Sequence, residues 1–411
     1  MNTIRNFARI LIAPVFIFSG FVKAIDPLGY TYKITDYLDA FGMDFLTPLA
    51  IVAAVLISAT EMAIGLALIM NVLMRITSWV LMVFMAFFTV LTLFIAITNP
   101  VTDCGCFGDA IILTNWQTFW KNIIFMLPTL VVFFNRRAYK PLTSVATEYG
   151  LVLLFILVGV ILSVFALRNL PFIDFRPYEV GTHIPAAMEI PEDAEVDEYE
   201  TIFVYAKDGK EKEFKVDELG AIYEDTAWKY VDRVTELIKE GYTPPIHDFT
   251  LTTLTGIDIT DSVLYSPGFS LLVIAYDLEK SDEKGMRNVK AFTEKMSDLG
   301  VMTFGMTSSS DQMIGETERT YSFPFDFYTT DEITLKTIVR SNPGVVLLYN
   351  GTIVGKWHYR NLPAVPDNSE KILEMTVSNN QRISALWTIW FFISLFFTFT
   401  LFLFILLKKR Y

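Results

Sequence analysis

Cysteine and histidine are nearly missing from this chain. Two cysteines among 411 residues rule out a scaffold built on several disulfides, and any four-cysteine zinc or iron–sulfur site. His183, His247 and His358 are the whole imidazole supply, and none lies in an apolar run, which argues against zinc and excludes a bis-histidine haem inside a membrane. Charge is scarce too: 19% of residues are Asp, Glu, Lys or Arg, against about 25% in soluble domains. The net charge of −12 supplies no basic surface for a phosphate backbone, so nucleic acid is not an expected partner. What the chain has in excess is apolar surface, with 53% hydrophobic residues, 35 Phe and a mean hydropathy of +0.42.

The charge is unevenly spread. Residues 168–383 carry 21 basic and 37 acidic side chains, and the rest of the chain 12 and 8. An acidic soluble module is therefore inserted into an apolar, weakly basic membrane protein. A spanning helix needs roughly 20 mostly apolar residues. Five such stretches, at about 5–25, 47–70, 76–98, 118–134 and 149–167, precede the module, and a sixth, 384–407, follows it. Arg5 with Arg9, Arg75, Arg136 with Arg137 and Lys140, and Lys408 to Arg410 all fall on one side of this six-span arrangement. Short basic connections favour the cytoplasm. Both termini are expected there, in an inner membrane, with loops 26–46 and 99–117 and the 168–383 module on the periplasmic side. FSGFVKAIDP has no small-x-small cleavage pattern, so the first run reads as a span and not as a signal peptide.

Both cysteines fall in Asp103-Cys104-Gly105-Cys106-Phe107-Gly108-Asp109, just past the third span and on the expected disulfide-permissive side. A ring closed over Gly105 alone departs from relaxed disulfide geometry, and strained, exposed disulfides are the labile ones. As a staple it would restrict the unfolded chain little. The placement suits thiol–disulfide exchange. A conformational clip and a reduced, packed pair stand as alternatives, and a Cu(I) site would lack ligands.

Arg9, Ser19-Gly20-x-x-Lys23, Asp26-Pro27, Glu61-x-x-x-Gly65 and Cys104-Gly105-Cys106-Phe107-Gly108 occur in that order. On these motifs residues 1–135 resemble the DoxX/MauE-type membrane proteins, which are four-helix bundles. The resemblance implies thiol or sulfur redox in the cell envelope. MauE-like members are linked to disulfide formation in a partner enzyme, and DoxX-like relatives to thiosulfate oxidation coupled to quinone. It thus implies Cys104 and Cys106 as a catalytic pair and a quinone as cofactor. Membrane disulfide generators commonly use two cysteine pairs, whereas this chain has one. A carboxylate within the bilayer is costly and is normally paired, and Lys23 is within reach of Glu61 if the first two spans run antiparallel. Two readings of Lys23 and Glu61 stand: proton handling beside a quinone headgroup, or a polar pin that fixes helix packing.

In the module, residues 168–195 read as a tether, Thr201–Val216 as a hairpin turning at Asp208-Gly209, and about 218–240 as a helix with Trp228, Val231, Val234 and Leu237/Ile238 at helical spacing. From Pro244 the pattern turns to alternating strands and helices. Phe269–Tyr276 is a strand buried on both faces, a helix covers 284–298, Val301–Met306 is a strand, and Asn342-Pro343-Gly344 leads into a hairpin turning at Asn350-Gly351. Residues 244–375 resemble the thioredoxin fold of the TlpA/peroxiredoxin-like kind, which implies a cis Pro343. Where such an enzyme carries Cys-x-x-Cys, this chain has Asp277-Leu278-Glu279-Lys280-Ser281-Asp282. The module cannot perform dithiol chemistry itself. A groove at Pro343, Asn342, Lys280 and Ser281 is a candidate docking place for a partner, with a plain packing domain as the alternative.

The fold expected is a six-span α-helical membrane bundle with a four-helix DoxX/MauE-like core over 1–135, a fifth span within 136–167, and an extracytoplasmic thioredoxin-like α/β domain over 244–378. The function expected is thiol–disulfide exchange through Cys104 and Cys106, coupled to quinone and serving an envelope protein client or a membrane complex. The rival is a non-catalytic scaffold whose redox-inactive module binds an envelope protein.

Overall fold

The computed structural model describes residues 2–379 apart from 102, 142, 197, 208–209, 221–226 and 240. The expected sixth span, 384–407, lies outside the described residues. Among the described residues five helical segments are long and apolar enough to cross a membrane: Thr3–Ile25, Asp44–Met70, Met74–Thr98, Asn115–Phe134 and Val145–Arg168. They belong to helices α1 (Asn2–Ile25), α3 (Ala50–Met70, with a 3₁₀ turn before it), α4 (Met74–Thr98), α5 (Asn115–Phe134) and α6 (Val145–Arg168). The amphipathic segment α2 (Pro27–Ala40) joins the first two spans. Asp26 starts α2 by accepting the Gly29 amide at 3.0 Å, with Pro27 in the first turn, where its missing N–H costs nothing.

Lipid tails provide no hydrophobic drive between helices, so close packing through small residues must hold the bundle. α1 and α3 run antiparallel and nearly touch: a Cβ on Gly20 would lie 2.7 Å from the Ser58 carbonyl, and one on Gly65 2.8 Å from that of Ala13. Hydrogen bonds from Asn122 Nδ2 to Thr92 Oγ1 (3.1 Å) and the Phe88 carbonyl (3.3 Å) fasten α5 to α4.

The α/β domain follows α6 after an intervening unit. Its five-stranded sheet has the order β6-β5-β4-β7-β8, formed by β4 (Phe269–Ile274), β5 (Met302–Thr307), β6 (Phe327–Thr329), β7 (Gly344–Tyr349) and β8 (Thr352–His358). β4, β5 and β6 are parallel, while β7 runs antiparallel to β4 and β8 to β7. This is the strand order of a thioredoxin fold. Leu271, Val273, Val345, Leu347 and Trp357 from the sheet pack with Met286, Val289, Phe292 and Met296 from helix Glu283–Asp298. Helix Glu332–Ile338 precedes the cis Asn342–Pro343 bond. The stretch after α6 is not a free tether at first. Asp174 pairs with Arg176 (2.6 Å) and with Lys356 on β8 (2.7 Å), and Arg176 donates to the Thr337 carbonyl at 2.8 Å.

His183–Phe249 form a separate compact unit. Its sheet has the order β2-β1-β3, with β1 (Glu198–Lys207) and β2 (Lys210–Lys215) as the expected hairpin. The helix expected over 218–240 is corrected here: Lys229–Lys239 is strand β3, antiparallel to β1. A two-stranded hairpin is marginal by itself, and a third strand on the open edge of β1 satisfies its backbone groups. β-branched Val231, Val234, Thr235 and Ile238 favour that outcome over their helical spacing.

Candidate functional site

The cysteines sit in the loop between α4 and α5, at the end of the bundle where α2 also lies. Several interactions give this loop one shape. Asn115 Nδ2 donates to Asn99 Oδ1 (2.7 Å) and to the Val101 carbonyl (2.8 Å), closing the loop's base. Thr114 and Gln117 cap the start of α5 reciprocally. Asp103 Oδ1 accepts the Gly105 amide at 2.9 Å, and Gly105 adopts φ +63, which a residue with a Cβ resists. From α2, Lys33 pairs with Asp103 at 2.6 Å and the Tyr37 hydroxyl donates to the Cys104 carbonyl at 2.8 Å.

Held this way, Cys104 Sγ and Cys106 Sγ are 3.1 Å apart as two thiols. Oxidation would need only about 1 Å of approach to reach the bonded distance of ~2.05 Å. Cys104 is buried and Cys106 half-buried. They line a cleft together with Lys23, Glu61, Lys121 and Asn122, whose apolar wall includes Phe84 and Phe88. Lys121 Nζ lies 4.4 Å above the Phe107 ring.

The two thiols are not equivalent. Cys106 is lowered to about 6, first by the hydrogen bond from the Cys104 thiol, then by the positive charges of Lys121 and Lys23, against the opposing effects of burial and Glu61. Cys104 is pushed up, because its proton is held in that same bond and burial adds to the effect. Of the two, Cys106 is the one whose thiolate is favoured and Cys104 the one whose thiol is favoured.

Beneath the pair, Lys23 Nζ donates to both Glu61 oxygens, at 2.9 and 2.8 Å, with both side chains almost wholly buried. Ser19 Oγ stands 2.9 Å from Glu61 Oε2 and 2.8 Å from the Cys106 carbonyl, and it accepts from Lys23 at 3.1 Å. The antiparallel contact of α1 and α3 is what joins Lys23 to Glu61. These two residues therefore reach the cysteine loop through one hydroxyl.

The residues singled out in the α/β domain form a cluster of their own. Asn342 Nδ2 donates to the Asp277 carbonyl (2.7 Å), and Ser281 Oγ donates to Asn342 Oδ1 (3.1 Å) or to that same carbonyl (2.9 Å). Lys280 is exposed and pairs with Asp277 at 2.7 Å. Pro343 is buried, and Gly285 packs so closely that a Cβ there would lie 2.9 Å from Pro343 Cδ and 2.9 Å from Tyr359 Cγ. Among the described residues no group of three or more His, Cys, Asp or Glu is arranged to hold a metal ion.

Sequence reasoning missed Lys121, Lys33, Tyr37 and Arg340. Lys121 carried a usable signal as the one Lys or Arg within the apolar run 118–134. The other three lie outside the apolar runs and owe their place to tertiary contacts.

The fold and site define a class: a membrane helical bundle with a partly buried dithiol at one end, joined to a thioredoxin-like domain that has no cysteine. Residues 1–135 match the family model of the methylamine utilisation protein MauE, and residues 199–240 that of a domain of unknown function, DUF8463. No curated protein matches the chain. Among solved structures it is similar to the peroxidoxin BcpB from Mycobacterium tuberculosis, at 10% identity and a TM-score of 0.24 over 34% of this chain and 94% of that one. A putative protein disulfide isomerase from Bacteroides thetaiotaomicron is similar at 15% identity and a TM-score of 0.22, over 33% of this chain and 84% of that one.

Proposed function

We propose that this protein is a membrane thiol–disulfide oxidoreductase whose catalytic pair is Cys104 and Cys106. The observation that carries the proposal is the 3.1 Å pair of thiols, one lowered and one raised, in a cleft that also holds Lys121 and Lys23. In the oxidised state, a client thiolate attacks one sulfur of the Cys104–Cys106 disulfide. The client's second thiolate resolves the mixed disulfide, so that the client leaves oxidised and the pair is left as a dithiol. A lipid-soluble quinone then takes two electrons and two protons from the dithiol, which restores the disulfide and releases quinol. Lys121 Nζ would hold a quinone carbonyl oxygen, and the buried Lys23–Glu61 pair would exchange protons with the quinone from the cleft it lines.

The basic residues support an extracytoplasmic cysteine loop. Arg5, Arg9 and Arg136 cluster at the bundle end opposite the cysteines, where Tyr139 donates to the Arg5 carbonyl at 3.0 Å, and basic ends favour the cytoplasm. The α/β domain then faces the envelope with its client. The test uses the full chain in lipid nanodiscs with the pair reduced. Adding a short-chain quinone is expected to produce the intramolecular disulfide and an equal amount of quinol, both lost in Cys104→Ser and Cys106→Ser. A pair that stays reduced under quinone excess would overturn the quinone step. Serine variants that mature envelope clients normally would favour a scaffold instead.

A further inference from the structure

We propose that Arg340 is a positioning residue for the cysteine pair, by which the thioredoxin-like domain holds the Cys104–Cys106 loop in its reactive shape. This rests on the reading of the pair as a redox centre. Arg340 stands between helix Glu332–Ile338 and the cis proline, and it is buried. Its Nε donates to Asp26 at 2.9 Å and its Nη2 to Asp109 at 2.9 Å. Both carboxylates belong to the bundle. Asp109 follows Cys106 by three residues, and Asp26 starts α2, whose Lys33 and Tyr37 grip the loop on the Cys104 side. One guanidinium thus ties the far end of the cysteine loop to the base of the helix that clamps its near end.

The bundle is shaped to receive it. A Cβ on Gly29 would fall 2.7 Å from Arg340 Nη2, so α2 has a glycine where the guanidinium passes. Tyr32 of α2 meets Tyr276 hydroxyl to hydroxyl at 3.2 Å, and the cations of Lys336 and Arg340 lie 4.7 and 5.4 Å from its ring. Tyr276 immediately precedes the segment that replaces Cys-x-x-Cys. The domain therefore turns toward the bundle the very face on which a cysteine-bearing thioredoxin fold does its chemistry. Without Arg340, Asp26 and Asp109 would lose the cation that pairs with both, and their repulsion would push the loop from α2 against only the weaker pull of Lys33 and Arg176 on Asp109.

The test measures the equilibrium of the Cys104–Cys106 pair in full-length protein against defined glutathione buffers, by gel shift after thiol capture. It needs neither quinone nor client, so its failure is separate from failure of those steps. Hydrogen bonds to charged groups are worth enough to shift an equilibrium by roughly 10- to 100-fold. Arg340→Met is expected to disfavour the disulfide by about that factor. Adding Asp109→Asn to Arg340→Met is expected to recover part of it, which a general loss of folding would not allow. Asp109→Asn alone, which keeps the Arg340–Asp26 pair, is expected to give a several-fold shift and decides the matter if Arg340→Met does not fold. Equilibrium constants within twofold of the unaltered protein in the folded variants would overturn the proposal.

Discussion

Replacing Cys104 by alanine removes the thiol that stands 3.1 Å from Cys106 and that contributes most to lowering it to about 6. The lost interaction is a hydrogen bond to a charged acceptor, worth ~1.5–3 kcal/mol. At 1.36 kcal/mol for each tenfold change in acidity, the Cys106 pKa is expected to climb by ~1–2. Lys121 and Lys23 remain, so it should not reach the ordinary thiol value. Cys104→Ser supplies a hydroxyl donor at the same place and is expected to keep most of the effect. The assay is alkylation of Cys106 by iodoacetamide from pH 5 to 10, quantified by mass spectrometry. The midpoint of the profile must be read, not the rate at one pH. A more basic thiolate is also more nucleophilic, with a Brønsted slope of about 0.4–0.5, which cancels much of its lower abundance at neutral pH. An unaltered protein with its midpoint near 8–9, or an alanine variant whose midpoint does not move, would refute the account.

Breaking the Lys23–Glu61 pair should be costly on one side and mild on both. Lys23→Met or Glu61→Gln each strands a buried partner and is expected to destabilise the bundle by ~3–5 kcal/mol, whereas Lys23→Met with Glu61→Met is expected to restore most of it. Reversible SDS unfolding in mixed micelles checks this, and a double variant as unstable as the sum of the singles would contradict it. Gly20→Ala drives a methyl into the α3 backbone at Ser58 and Met62 and is expected to cost ~1–3 kcal/mol in the same assay. Gly150→Ala, with open space around it, is the control and should be neutral or slightly stabilising.

The legible parts of this protein share one property: their signal is local. Runs of roughly 20 mostly apolar residues mark spans whatever surrounds them. Cys104-Gly105-Cys106 marks a thiol pair by adjacency, and Asn350-Gly351 with Pro343 marks the β7–β8 hairpin. Lys23 and Glu61 were legible as partners because consecutive spans run antiparallel and both are ionisable groups in apolar sequence. Lys229–Lys239 departs from its helical expectation for the complementary reason. Its apolar spacing fits a helix, and only the open edge of β1 decides for a strand.

The sequence alone therefore determined the two-part architecture, the place of the cysteines in the chain and the absence of thiol chemistry from the α/β domain. These follow from composition and from residues close together in the chain. Tertiary structure alone decided that the thiols differ in acidity, that Lys121 lies beside them, and that the domain grips their loop. Arg340 meets Asp26 across 314 residues and Asp109 across 231. One arginine in an acidic module has no periodicity or motif to announce such contacts, because an ion pair depends on distance in space and leaves no pattern along the chain.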